Sequence, residues 1–256
     1  MIFLKTYKEI DIMRESSLLV ARTHAELAKV IRPGITSLYL DNLAEEFIRD
    51  NGGLPGFKGY NDFPYTLCVS QNEEVVHGMP SNKEIKNGTI LSIDCGVLMN
   101  GYYGDSAYSF SVGELTLEKK RLLDVTKEAL DRGVIAAKFG NTIGDIGFTI
   151  QNFAESHGYS VVRDLVGHGI GKQLHESPEV PNYGKKGMGS ILEDGMVLAI
   201  EPMINLGLPD IIHKNDGWTI VTKDGLPSAH FEYTVAIKKD KTEVLSPFNL
   251  IENVLN

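Results

Sequence analysis

The 256 residues predict an α+β fold, with helices flanking a central, mostly antiparallel sheet. Three observations lead there. Two pairs of helical segments occur, one on each side of a strong hairpin signal. The remaining apolar runs are short and bounded by turn residues, as strands are. The helix pairs also resemble one another. Placing "PGITSLYLDNLAEEFIRDNGG" over "FGNTIGDIGFTIQNFAESHGY" aligns Gly34 with Gly140, Thr36 with Thr142, Phe47 with Phe153 and Gly52 with Gly158. No low-complexity linker divides the chain, so residues 1–256 read as a single domain with halves of roughly 1–113 and 114–256.

Each element has a local cause. Over residues 6–31, Ile10, Met13 and Leu18 fall on one helical stripe, and "RPG" ends it. In "ITSLYLDNLAEEFIRDNGG" (35–53), Thr36 and Ser37 cap a second helix that stops at Gly52-Gly53. "TLCVS" and "EVVHG" are short strands flanking a polar turn. "TILSIDCGVL" (89–98) and "YSFSVG" (108–113) are the arms of a hairpin, because Asn100-Gly101 supplies the two positive φ angles of a type I′ turn. A long helix (116–140) follows, then "NTIGDIGFTIQNFAESHG", which ends at Gly158. "SVVRDLVG" leads as a strand into "GHGIGKQLHESPEVPNYGKKGMGS", a glycine- and proline-rich loop. The last strands are "MVLAIEPMI" (196–204), "WTIVT" (218–222) and "SAHFEYTVAI" (228–237).

Composition narrows the function. Hydrophobic residues make up 42% of the chain and charged ones 23%, an ordinary globular balance with ample core. A net charge of −9 argues against binding along a nucleic-acid backbone. Cys68 and Cys95 form no CxxC, which argues against a disulfide framework and a structural zinc site. The start, "MIFLKTYKEIDIM", has too short an apolar run for a signal segment, and no run reaches membrane-spanning length. The expectation is a cytoplasmic, soluble protein without a membrane partner.

The chemistry starts from "SIDCGVLMNGYYGDSAY" (92–108), where a strand carries an aspartate that burial should forbid. With Asn100-Gly101 at the tip, Asp105 lies opposite Gly96, which shares a face with Asp94. The two aspartates are diagonal neighbours, roughly 7–8 Å apart at the backbone, and Gly96 and Gly104 leave space around them. Glu201 and Glu232 sit equally oddly, in or beside apolar strands, and His168 in "GHGIG" is a candidate nitrogen ligand. Four carboxylates carry a charge that two divalent ions neutralise, with a neutral imidazole as fifth ligand. Such an oxygen-rich set suits Mn, Fe, Co or Zn. Paired metals activate a water and polarise a carbonyl, which describes hydrolysis. "VGHGIGK" lacks the spacing of a phosphate-cradling loop and leads to prolines rather than a helix, so it is not one.

These residues, in this order, resemble the type I methionine aminopeptidases. The likeness rests on "IDCGVLMNGYYGDSAY", "GHGIGKQLHESP", "GMVLAIEP" and "AHFEYTV" and runs essentially end to end. It implies the pita-bread fold with its internal pseudo-twofold, and removal of the initiator methionine from nascent chains when the next residue is small. It also implies that Asp94, Asp105, His168, Glu201 and Glu232 ligate the metals, Asp105 and Glu232 bridging both, while Glu201 shuttles a proton. By the same resemblance His77 bonds the substrate near the scissile amide and His175 stabilises charge on the carbonyl oxygen. Tyr60, Phe63, Cys68 and Trp218 then line the methionine pocket. Phe63 and Leu174 stand where many members carry tyrosine and phenylalanine, which bears on pocket shape. Transient docking at the ribosome is implied too. The alternatives are a prolidase-like peptidase, whose relatives carry an extra domain before the catalytic one, and a binding module of the same fold that has lost its metals.

Overall fold

Hydroxyl caps start the helices of the computed structural model, which describes residues 1–256. The Thr6 side chain accepts from the Glu9 amide while the Glu9 carboxylate accepts from the Thr6 amide, opening α1 (Tyr7–Ala28). Thr36 caps α2 (Ser37–Asp50). Strands β1 (Leu54–Pro55), β2 (Leu67–Gln71), β3 (Glu74–Val76), β4 (Thr89–Met99) and β5 (Tyr102–Val112) follow. Thr116 caps α3 (Leu117–Ala136), and the Asp145 carboxylate accepts from the Thr142 amide at the start of α4 (Ile143–Ser156).

The second half is richer in strands: β6 (Ser160–Val161), β7 (Gly167–Gly169), β8 (Glu176–Val180), β9 (Val197–Ile200), β10 (Met203–Asn205), β11 (Ile211–His213), β12 (Ile220–Thr222), β13 (Ser228–His230), β14 (Tyr233–Ile237) and β15 (Thr242–Val244). A short helix, α5 (Asn249–Leu255), closes the chain. All strand pairings in the sheets are antiparallel. They form four sheets: β4 with β1, β2 and β5; β15-β14-β9-β7-β8; β13-β10-β6; and β11-β12-β3.

The helices lie over these sheets and share one core. Leu19, Leu27, Leu40 and Ile48 from α1 and α2 are fully buried with Ile90, Ile93 and Val97 of β4, and Leu122, Leu130, Ile146 and Ile150 from α3 and α4 join the same cluster. Each such side chain stabilises the fold by about 1.5–3 kcal/mol relative to exposure. A smaller cluster containing Phe57, Phe63, Cys68 and Leu174 lies apart from it and forms one wall of the cavity described below.

Five sequence expectations change. The glycine-rich stretch after Val166 is not a loop throughout, since β7 and β8 pair within it. "SVVRDLVG" keeps only Ser160–Val161 as strand, and "WTIVT" starts pairing at Ile220. "MVLAIEPMI" and "SAHFEYTVAI" are each broken in two. β9 pairs with β14 in one sheet and β10 with β13 in another. The breaks fall at Glu201-Pro202 and Phe231-Glu232, where both chains cross from one sheet to the next, and Pro202 has no N–H to offer a ladder.

Candidate metal centre and its pocket

The hairpin is the simplest part of the site. Asn100 and Gly101 have φ of +53° and +80°, as a type I′ turn requires. The register follows: Gly96 faces Asp105, Asp94 faces Ala107, and Asp94 also pairs with Cys68 of β2. The space at the two glycines is not left empty for the aspartates. A Cβ on Gly96 would stand 2.5 Å from the Phe57 ring, and one on Gly104 would stand 2.5 Å from the Ser17 amide. The glycines let an aromatic ring and the backbone of α1 close in from behind.

The corner at Glu232 is sewn onto β5 by hydroxyl groups. The Ser106 hydroxyl donates to the Glu232 carbonyl at 2.7 Å, and the Glu232 amide donates to the Ala107 carbonyl at 2.9 Å. The Thr234 hydroxyl accepts from the Asp105 amide and donates to the Asp105 carbonyl, at 3.2 and 2.7 Å. Backbone bonds that would have continued a ladder are spent on β5 instead, which draws Glu232 against Asp105. Across the corner, the Asn182 amide side chain donates to the Glu201 carbonyl at 3.0 Å.

His168 completes the ring of donors. Its Nδ1 lies 2.9 Å from the Gly169 carbonyl, which can only accept. Nδ1 therefore carries the proton, and the Nε2 lone pair is free to bind a cation. Donor atoms of Asp105, His168 and Glu232 lie within 4.8 Å of one another, all three residues buried. Glu201 sits between two imidazoles: its Oε1 is 3.5 Å from His168 Nε2 and its Oε2 is 3.5 Å from His230 Nε2.

The charges of this cluster have no protein partner. Among the cavity-lining residues there is no lysine or arginine. Asp94 Oδ1, Asp105 Oδ1 and Glu232 Oε1 are buried without a hydrogen bond. Desolvation is the largest cause raising every carboxyl of the set: Asp94 to about 7, Glu201 to about 8, and Asp105 and Glu232 well above the carboxylate range. The Asp94 and Glu201 charges add to the rise at Asp105. Removing an ion from water costs several kcal/mol even after relaxation. Orphaned oxygens, an imidazole with a free lone pair and no basic side chain together fit divalent metal.

Beside the carboxylates lies a cavity of about 180 Å³. Every candidate residue of the sequence reading borders it: Tyr60, Phe63, Cys68, His77, Asp94, Asp105, His168, His175, Glu201, Trp218 and Glu232. Phe63 and Trp218 meet edge to face, with centroids 4.9 Å apart. Cys68 is a free, buried thiol, and burial pushes its pKa well above the usual value, so it serves as apolar lining. Tyr60 Oη and His175 Nδ1 are hydrogen-bonded at 2.7 Å, and the His175 ring is 4.3 Å from that of His168. His77 is held at φ +58°, a left-handed conformation uncommon for histidine. Burial lowers His77 to about 4 and His168 to about 3, and lowers His175 too, so the imidazoles are neutral at pH 7. A shallower groove of about 470 Å³ shares His77, His168, His175 and Glu201 and leads outward past Leu165 and Met203.

Two contributors escaped the sequence reading. Phe57 fills the gap behind Gly96 and lines the cavity. His230 is buried to 1% exposure, and its Nε2, which has no hydrogen-bond partner, faces Glu201. A histidine two residues before a glutamate in an apolar strand was the available signal for it.

Residues 11–239 match metallopeptidase family M24. The chain is 48% identical over 246 residues to methionine aminopeptidase 1 of Bacillus subtilis, and 49% identical over 247 residues to the methionine aminopeptidase of Clostridium acetobutylicum. Each comparison covers 96% of this chain and 99% of the relative. The crystal structure of methionine aminopeptidase from Thermotoga maritima superposes with a TM-score of 0.94 at 44% identity, over 96% of this chain and 99% of that one. The prolidase of Pyrococcus furiosus shares the fold alone, with a TM-score of 0.77 at 24% identity and 65% of its length covered. The chain therefore belongs to metallopeptidase family M24, among the methionine aminopeptidases.

Proposed function

We infer that this chain is a metal-dependent aminopeptidase that removes the initiator methionine from nascent polypeptides whose second residue is small. One observation carries the reading: three carboxylates with buried, unpaired oxygens (Asp94, Asp105 and Glu232), together with Glu201 and His168, open directly into a small cavity walled by Phe63, Cys68 and Trp218. Asp94, Asp105, His168, Glu201 and Glu232 would hold two divalent ions of the Mn, Co, Fe or Zn class. When bound, these ions supply an activated water and polarise the scissile carbonyl.

The protein's own groups do the rest. The thioether of the substrate enters the apolar, polarizable cavity, which an unbranched chain fills more readily than a branched one. Tyr60 Oη is 2.7 Å from His175 Nδ1; in this reading the hydroxyl donates there, which leaves the ring proton on Nε2. Nε2–H then donates to the carbonyl oxygen as it gains charge. His77, neutral and fixed by its backbone, bonds the substrate beside the scissile amide. Glu201 accepts the proton that the attacking water gives up and returns it to the leaving amine.

Residues 1–256 form, in this reading, one catalytic domain of two related halves, roughly 1–113 and 114–256. Matching local structure supports that: Gly34 and Gly140 have φ of +89° and +84°, Gly52 and Gly158 +80° and +87°. Thr36 and Thr142 each form an isolated antiparallel bridge, to Glu84 and Ile191. Action on nascent chains places the enzyme in the cytoplasm, with transient contact at the ribosome. No helix is long and apolar enough to cross a membrane.

Peptides Met-Ala-Ser, Met-Lys-Ser and X-Pro, assayed with and without chelator, test the assignment. Cleavage of Met-Ala-Ser alone, abolished by chelator and restored by Mn or Co, is the expected result. Cleavage confined to X-Pro would move the chain to the prolidase branch, and none with any metal would make it a binding module.

A further inference from the structure

We propose that the buried Lys5–Glu176 ion pair makes the N-terminal segment part of the active site, by positioning the turn that presents His175. The proposal rests on the reading of His175 as the donor to the carbonyl oxygen.

His175 ends the turn between β7 and β8, and few backbone bonds hold that turn. The register slips between His168 and Gly169; Ile170 donates to the Val197 carbonyl at 3.1 Å and the Gly171 carbonyl accepts from the Tyr103 amide at 2.8 Å, but from Lys172 to His175 the backbone bond is the one that Gly171 donates to the Gln173 carbonyl at 3.1 Å. Beyond Gly171, besides the Tyr60 bond to the His175 ring, what holds the turn is the next side chain. Glu176 points inward, its Oε2 accepting from Lys5 Nζ at 2.7 Å and its Oε1 from the Gln173 amide at 3.1 Å. Both side chains of the pair are only 6% exposed.

Lys5 is anchored in turn. Its Nζ donates to the Phe3 carbonyl at 3.0 Å, its amide donates to the Gly195 carbonyl at 2.7 Å, and Ile2 bridges Ser177 in parallel. The turn is shaped to close on the pair: a Cβ on Gly171 would stand 2.6 Å from both Glu176 Oε1 and Lys5 Cε. Other ion pairs of the chain are more exposed on at least one side, or join neighbours along one helix.

A buried pair is a weak source of stability but a strict constraint on geometry, because either ion left alone must find water. Neutralising Lys5 leaves Glu176 charged beside a turn that can open to solvate it. His175, one residue away, moves with that turn, while the carboxylates on β4 and β5 and at the Glu201 and Glu232 corners do not depend on it.

The test is a double-mutant cycle read on Met-Ala-Ser hydrolysis. Lys5→Met should lower kcat by about tenfold to a hundredfold, since a displacement of order 1 Å is enough for that, with KM and metal content little changed. In a His175→Ala background the same substitution should change kcat by less than about twofold, because the group it misplaces is gone. A ¹⁵N-histidine spectrum of Lys5→Met should show the His175 resonances shifted and those of His230 in place. Equal loss in both backgrounds, or no loss in either, would overturn the proposal. If His175→Ala alone left kcat unchanged, the reading of His175 would fall instead. Should Lys5→Met not fold, Glu176→Gln, which keeps an acceptor for the Gln173 amide, carries the same cycle.

Discussion

Two aspartates and two glutamates reach the same cavity by opposite routes. Asp94 and Asp105 ride on uninterrupted strands, joined by a turn of two residues and brought together by a ladder that runs from Thr89 to Val112 without a slip. Glu201 and Glu232 stand where strands stop, in two facing corners whose backbone bonds go to β5 and to the Asn182 side chain rather than to a ladder. The register of the hairpin is set by local signals alone. The corners exist only once β5 is in place to accept them.

The largest effect should come from removing a carboxylate on either side of that divide. Asp105→Ala and Glu232→Ala are both expected to abolish metal binding and turnover, because the cavity's four acidic groups are what neutralise the ions and each loss leaves one positive charge uncompensated. Metal analysis of purified variants decides it, and normal metal content in either one would break the equivalence of hairpin and corner. Next comes His175→Ala. It should keep its metal and lose roughly 10²–10³ in kcat, the usual scale for one donor to a developing oxyanion. An unchanged kcat would remove His175 from that role.

The same divide governs what could be read from the sequence. The register of the hairpin was legible to the residue, since Asn100-Gly101 fixes the tip and the period of two then fixes every partner, although the returning strand, read from Tyr108, starts at Tyr102. The helices were legible from their caps and stripes, with ends displaced by a few residues. The corners were legible only as chemistry: a glutamate beside an apolar run marked Glu201 and Glu232, but the runs themselves read as single strands. Pro202, with no N–H for a ladder, is the one local sign that Ile200 and Met203 belong to different sheets, and nothing comparable marks Phe231-Glu232. Phe57 and His230 went unseen for the same reason, because each matters through a partner far away in sequence, Gly96 for one and Glu201 for the other. The stretch around His168 read as a loop because strands of three glycine-rich residues have no periodicity to detect.

A third prediction sets the two pairs against pH together. Asp94 and Glu201 have folded pKa values raised to about 7 and about 8, against ordinary values of 3.8 and 4.5. In metal-free protein such groups contribute stability at pH below about 4, and that contribution is lost as pH rises through 7 and 8. Metal needs the charged form, so its affinity should rise about tenfold per pH unit between roughly pH 6 and 8 for each proton displaced. Calorimetry in buffers of different ionisation heat measures that release. A gain in Tm on adding Mn(II) that is the same at pH 6 and pH 8 would mean that these carboxylates are not the binding groups.

The smallest effects separate hairpin from corner most cleanly. Asn100→Ala puts a β-carbon residue without a helpful amide at φ +53° and should cost about 1 kcal/mol of stability, leaving metal affinity alone because the register is fixed along the whole ladder. Ser106→Ala removes the hydroxyl that holds the Glu232 carbonyl, in a residue only 1% exposed. Its stability cost should be of similar order, about 1–3 kcal/mol for an unsatisfied buried acceptor, but metal affinity should fall about tenfold as Glu232 loosens. Thermal melts paired with metal titrations separate the two quantities. If Asn100→Ala weakened metal binding as much as Ser106→Ala, the hairpin would be no more self-sufficient than the corner.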